Sequence, residues 1–348
     1  MKTNFSKFGS IILVLPMAVC AFSCTNENPE TTPEQEENSK YIPAPIVLPT
    51  DNLEWDESYH PDVITRANNE SDQMAVTSNN IYLGAVYTAK SVEDLSYDWI
   101  SKPVDPIDVS FTFPRYFFDE IQRPSVSAMY RSLNKAVESP QFVGKQSLAF
   151  EYDMRQFFKY SELKLAFGAN LNIASIFKLD ASVNYTNIKS KSGLFARVVQ
   201  KNFAMIMDYP YDGNIFLNND DLQGVLSDSP VYVNSIIFGR MAIIAIESDY
   251  SFNELKAAVK ASFSAGVVGG EINISAEYKK ILQESTMRLF VSGGIGQDVA
   301  KIVEGYNEFN NFIVNGGEFT KDVPGVPIFF TANYAEDNSV FRTSFATE

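Results

Sequence analysis

At 348 residues the chain can bury a large core, and its 43 acidic against 28 basic residues leave a formal charge of −15. That balance speaks against nucleic acid as a partner and repels anionic lipid, so membrane capture must rest on a receptor, a companion protein or neutral lipid. Two cysteines and one histidine, His60, leave no basis for a disulfide framework, a histidine-rich metal site or a Ser-His-Asp triad.

The first elements are those of export. Lys2 and Lys7 precede an apolar stretch from Ile11 to Phe22, followed by Ser23-Cys24. This is the layout of a bacterial lipoprotein signal, with Cys24 as the acylated first residue. Phe22 departs from the usual small residue, and Cys20, preceded by Val19, is the poorer match. Removing residues 1–23 takes away two lysines and no acids, moving the charge from −15 to −17. Residues 24–64 mix Glu27, Glu30, Glu34, Glu36 and Glu37 with Pro29, Pro33, Pro43, Pro45 and Pro49. They read as a tether that cannot bury enough apolar surface to fold. It is either a spacer suited to surface export or a tail with no specific role. Residues 65–348 form the folded body.

In that body Ile107 to Phe113 alternates apolar with polar and is a strand, and Ser125 caps a helix with the stripe Val126, Met129, Tyr130, Leu133 and Val137. From Phe167 to Tyr185 the odd positions are mostly apolar, including Leu171, Ile173, Phe177, Leu179, Val183 and Tyr185. Asn170, Asn172, Lys178, Asp180, Ser182 and Asn184 fill even ones. The turn Lys189-Ser190-Lys191-Ser192-Gly193 then leads into a looser alternation to Met207, a candidate hairpin. Val231 to Ile246 is apolar on both faces and belongs inside the fold.

From Leu255 the odd positions Leu255, Val259, Phe263 and Val267 are again apolar. After Val268-Gly269-Gly270 the phase flips to Ile272, Ile274, Ala276 and Tyr278. That is a second hairpin pattern, yet its flanks are rich in Ala, Leu, Lys and Glu, which favour helix. Binary pattern and local propensity disagree. The runs are long enough to cross a bilayer obliquely as strands, although an ordinary sheet with one wet face also alternates. Met287 to Val291 is a strand stopped by Ser292-Gly293-Gly294, and Asp298 opens a predicted helix with the stripe Val299, Ile302, Val303, Tyr306, Phe309 and Ile313. Strand clusters and helices do not alternate as βαβ, so the class is α+β with a largely antiparallel sheet. No carboxylate spacing marks a catalytic pair, and the glycines of 266–270 lack a phosphate-loop lysine, so the chain reads as a non-enzyme without a cofactor.

From Tyr82 onward the chain resembles the first three domains of the cholesterol-dependent (thiol-activated) cytolysins, relatives of the membrane-attack-complex and perforin proteins. Tyr82-Leu83-Gly84-Ala85-Val86 is similar to their Tyr-Pro-Gly-Ala-Leu segment, and Phe238-Gly239-Arg240 to their Tyr-Gly-Arg strand. Val291-Ser292-Gly293-Gly294 matches the paired glycines at their sheet bend, and Pro324-Gly325-Val326-Pro327-Ile328 and Asp337-Asn338-Ser339-Val340 match the approach to their last domain. The resemblance implies a bent central sheet hinged at Gly293 and Gly294, flanked by helical clusters that unfurl into two amphipathic hairpins per subunit. It places the clusters at about 167–207 and 255–282. The resemblance also implies a ring-shaped homo- or hetero-oligomer, because an isolated hairpin would carry unpaired edge amides into lipid. The fourth domain, with its tryptophan-rich loop, is expected to be absent, since the only tryptophans are Trp55 and Trp99. Cholesterol recognition by that loop is therefore not carried over. The expected function is a pore-forming lipoprotein of the bacterial outer membrane or cell surface, acting on a target membrane with a longer receptor-binding companion. The rival is a non-lytic surface lipoprotein that uses the same scaffold to bind a ligand.

Overall fold

The computed structural model describes residues 46–47, 69–113, 115–142, 146–147, 151–265, 267–268, 270–293, 301–315 and 318–345. All belong to the unit Lys40–Glu348. Residues 1–23, expected to be a signal peptide, lie outside the described residues, as do Cys24 and Gly294. So does the tether, except Ile46–Val47, which differs from expectation by forming a short strand parallel to Glu151–Tyr152.

The fold is α+β around an eleven-stranded sheet in which every long ladder is antiparallel. Its main strands are β1 (Ile107–Phe111), β2 (Phe117–Ile121), β3 (Glu151–Gln156), β4 (Ser192–Met207), β5 (Pro230–Ser248), β6 (Thr286–Ser292), β7 (Lys301–Glu304) and β8 (Val326–Tyr334). The longer helices are α1 (Val126–Val137), α2 (Phe252–Ser264), α3 (Ala276–Gln283) and α4 (Tyr306–Val314). Strands β4 and β5 run side by side through the middle and change outer partners halfway. One half of β5 pairs with β8 and the other with β6, while β4 switches from β1 to β3.

Side-chain alternation on these strands explains why Val231 to Ile246 is apolar throughout. In the half paired with β6, Met241, Ile243 and Ala245 face one hydrophobic cluster and Ala242, Ile244 and Ile246 face another. A strand covered on both sides has no polar face. The other half packs under α1, where Ser125 accepts the Ala128 N–H as N-cap and Met129 and Leu133 are buried as the stripe requires. Phe203 and Phe238 stack there at 4.9 Å.

Two expected elements differ. The helix foreseen from Asp298 begins only at Tyr306, and Lys301–Glu304 is a strand on β6. Gly305, at φ +85°, separates the two, and the β-branched pair Ile302-Val303 suits the strand. Val299 lies outside the described residues. The segment 167–207 is not one element either: its second half is already strand β4, and the helical part is Tyr160–Asn184.

Candidate functional site

Between β3 and β4 the chain folds into four short helical turns, Tyr160–Leu163, Lys164–Phe167, Ile173–Ile176 and Ala181–Asn184. Local features bound two of them. Gly168 closes one turn in the left-handed region at φ +66°, and the Asn172 side chain caps another by accepting the Ser175 N–H at 3.1 Å. Leu171, Ile173 and Phe177 are buried against the sheet, Leu179 and Val183 are half-buried, and Tyr185 is 54% exposed. Phe167 meets Phe290 of β6 edge-to-face at 5.1 Å.

The segment between β5 and β6 forms α2, a two-residue strand pair (Val267–Val268 with Glu271–Ile272) and α3. A capping box of Ser251 and Glu254 starts α2. Leu255, Val259 and Phe263 then fall on one buried face at intervals of four. Phe263 stacks on Tyr152 at 5.0 Å and meets Phe309 at 5.8 Å. Ile272 is buried and donates its N–H to Asn310 of α4, while Ile274 is half-buried. The two sets of hairpin residues are thus not together: each packs on a different face of the same half-sheet.

Polar contacts fasten these parts. Tyr160 donates to Glu247 of β5 at 2.7 Å, Arg288 of β6 donates to the Tyr160 hydroxyl at 3.0 Å, and Arg288 lies 3.5 Å from Glu247 and 3.8 Å from Glu304 of β7. On the other face Arg240, in β5, donates to the Phe312 carbonyl at 2.6 Å and lies 4.4 Å from that ring's centroid. Burial lowers its guanidinium pKa to about 10, so it stays charged at neutral pH. Glu162 is buried in the first cluster, accepting the Phe158 and Lys159 N–H groups at 3.0 and 2.9 Å. Burial raises its carboxyl pKa to about 7, against the pull of those hydrogen bonds.

Where β5 changes partners, three glycines meet. A Cβ on Gly293 (φ +78°) would lie 2.7 Å from the Gly239 carbonyl oxygen, and one on Gly325 (φ +91°) would lie 2.8 Å from the Gly239 Cα. One on Gly239 would lie 2.0 Å from the Gln200 carbonyl oxygen. The β4 and β8 ladders both slip register here, at Phe238/Gly239 and Ile237/Phe238. Gly293 stood out in the sequence as one of a glycine pair, whereas Gly239 and Gly325 are single glycines whose closeness only the fold reveals. Among the described residues no cluster of His, Cys, Asp and Glu could hold a metal ion, and no helix is long and apolar enough to cross a membrane.

Comparison with known proteins gives a consistent result. The family profile described as thiol-activated cytolysin matches residues 64–348. Tetanolysin of Clostridium tetani is 23% identical over 287 residues, covering 78% of this chain and 54% of that protein. Listeriolysin O of Listeria monocytogenes is 30% identical over 112 residues, which is 32% of this chain and 20% of that protein. Among solved structures, wild type pneumolysin superposes with a TM-score of 0.65 at 21% identity, covering 80% of this chain and 62% of that one. Suilysin from Streptococcus suis gives 0.62 at 23%, covering 80% and 63%. The chain spans little more than half the length of tetanolysin.

Proposed function

The chain belongs to the thiol-activated cytolysin family, and from that membership we propose that it is a pore-forming protein whose two helical clusters convert to membrane-spanning β-hairpins in a ring of subunits. One observation carries the reading, the register of the sheet. Met241 lies opposite Ser292 and Glu247 opposite Thr286. Continued without slip, that ladder sets Leu255 opposite Tyr278, Val259 opposite Ile274 and Ala261 opposite Ile272, with the tip at Gly266-Val267. The β3/β4 ladder, with Glu151 opposite Val199 and Gln156 opposite Leu194, continues to Leu171 opposite Leu179 and Ile173 opposite Phe177. The β4/β5 ladder, with Ser248 opposite Ser192, brings Phe263 beside Phe177 and Ala257 beside Val183. All these apolar side chains then share one face of a four-stranded sheet, and the two tips end level.

A register slip of one residue in any ladder would scatter them. An ordinary helical connection has no reason to keep this phase. Each large apolar side chain placed in lipid adds roughly 1.5 to 3 kcal/mol, and Lys260, Ser262, Asn273 and Ser275 would line water. Insertion needs a closed ring, so further copies of the chain and a target membrane are its partners, with a longer companion supplying target binding. Lipidation at Cys24 would hold the protein at the outer surface before assembly, and Cys24→Ala should abolish lipid labelling.

The deciding experiment uses the full chain with Cys20→Ala and Cys24→Ala, so that single cysteines at 257–264 and 271–276 alone carry a polarity-sensitive dye. On sterol-containing vesicles, with and without a companion protein of the same organism, leakage should appear. The dye signal should alternate residue by residue, odd positions apolar before the turn and even ones after it. A helical period that persists on membranes, with no leakage, would favour the non-lytic scaffold.

A further inference from the structure

We propose that the cavity beside Trp99, remote in sequence from both hairpin segments, is a binding site for an acidic pyranose, with the sugar ring on the indole and its carboxylate on Arg123. The cavity is about 450 Å³, within the range of small-molecule sites, and lies between the segments around Tyr82, Trp99 and Arg123. Trp99 is 59% exposed, an uncommon fate for the largest side chain in a folded body. It is also held firmly. Trp99 bridges Tyr87 through the backbone, and its neighbours bond the same strand, Ile100 N–H to the Val86 carbonyl at 2.9 Å and Thr88 N–H to the Asp98 carbonyl at 3.2 Å. The indole lies on the side of the cavity shared with Tyr82. More than half of Trp99 stays open on a backbone that is already held, which offers a stacking surface at low ordering cost.

Charge selects the ligand. The chain carries −15 overall, yet the lining includes Lys102 and Arg123 and no aspartate or glutamate. Two positive groups beside the indole oppose a cationic guest and favour an anion. Lys102 is engaged with Asp221 at 3.0 Å. Arg123 makes no hydrogen bond or ion pair among the described residues, so its guanidinium fork is open to a carboxylate. Gln122 offers an amide that can both donate to and accept from ring hydroxyls. A flat C–H face, a hydroxylated edge and one carboxylate together describe an acidic pyranose, free or at the end of a glycan. A bare anion would leave the indole unused, and a neutral sugar would leave the guanidinium unused.

The test reads binding in solution and is independent of pore formation. With Trp55→Phe, Trp99 is the sole tryptophan and its fluorescence reports the site. N-acetylneuraminic acid and glucuronic acid should shift its emission saturably, with glucose, benzoate and inorganic phosphate at least about tenfold weaker, the size of one charge-assisted contact. Arg123→Gln, at an exposed position, should weaken the acidic sugars by the same factor with an unchanged melting temperature. Trp99→Leu should abolish their binding by calorimetry. Equal binding of glucose, benzoate or phosphate, indifference to Arg123→Gln, or no saturation up to about 10 mM, the weak end for so small a ligand, would each overturn the site. A sialylated glycan that binds where the free sugar does not would place the specificity elsewhere in the glycan and would also overturn it.

Discussion

Glu162→Gln isolates one buried charge in the first helical cluster. The Glu162 carboxyl is 4% exposed and accepts two backbone N–H groups through Oε1, while Oε2 is buried without a hydrogen-bond partner among the described residues. Desolvation outweighs those two bonds and lifts its pKa from 4.5 to about 7. Between those values the folded chain holds a proton that the unfolded chain has lost, so stability falls as pH rises through this window and is level on either side. At 1.36 kcal/mol per pH unit the full effect is about 3 kcal/mol. For a body of this size that is about 6 to 12 °C in melting temperature between about pH 4 and pH 8. Glutamine keeps the acceptor oxygen and removes the titration. The variant should therefore match or exceed the natural chain at about pH 8, and the difference between them should close as pH falls toward 4.5. Leakage assays should show acid slowing release of the first cluster in the natural chain and no such dependence on residue 162 in the variant. Thermal scans in which the difference between the two proteins does not change with pH would refute the argument.

Two further predictions concern Gly325 with Gly305 and helix α4. Gly325→Ala should cost about 2 kcal/mol or more, because a backbone-to-Cβ clash adds to positive-φ strain. Gly305→Ala, at φ +85° with no atom within 4 Å of the added Cβ, should cost about 1 kcal/mol, and denaturant midpoints at constant slope separate the two. Arg240→Met should remove the donor to Phe312 and the cation over its ring, raising amide exchange across residues 301–314 well above that elsewhere; uniform acceleration would mean the arginine only supports the core.

Much of the sheet was legible because its strands obey one period at a time. Val231 to Ile246 announced a fully covered strand, and Ser125 announced a helix start. The two clusters were legible only as a contradiction, and the fold shows why. Leu255, Val259 and Phe263 are four apart, a spacing that keeps side chains on one face of a helix and on one side of a strand alike. The positions that would change sides in a conversion to strand, Ala257, Ala258, Ala261 and Ser262, are small. Local sequence is therefore compatible with helix and strand alike, and the segment is helical where it packs on the sheet. The stripe from Val299 to Ile313 misled because Ile302 and Val303 fit either period, and the edge of β6 was not visible in sequence. Nor were Glu162 and Arg240, whose burial depends on partners far along the chain.

The contacts joining Tyr160, Glu247, Arg288 and Glu304 tie the first cluster, the central strands and the covering strand β7 into a single linkage. If lifting β7 away loosens Arg288 and so eases the departure of Tyr160, thermodynamic reciprocity requires that freeing Tyr160 ease the lifting of β7 by the same free energy. A lone molecule would then face both costs together, whereas a neighbour that supplies a replacement edge to β6 meets one of them and discounts the other. If the chain converts as proposed, such an arrangement would make premature opening rare in dilute solution and would make conversion depend steeply on how many copies have gathered.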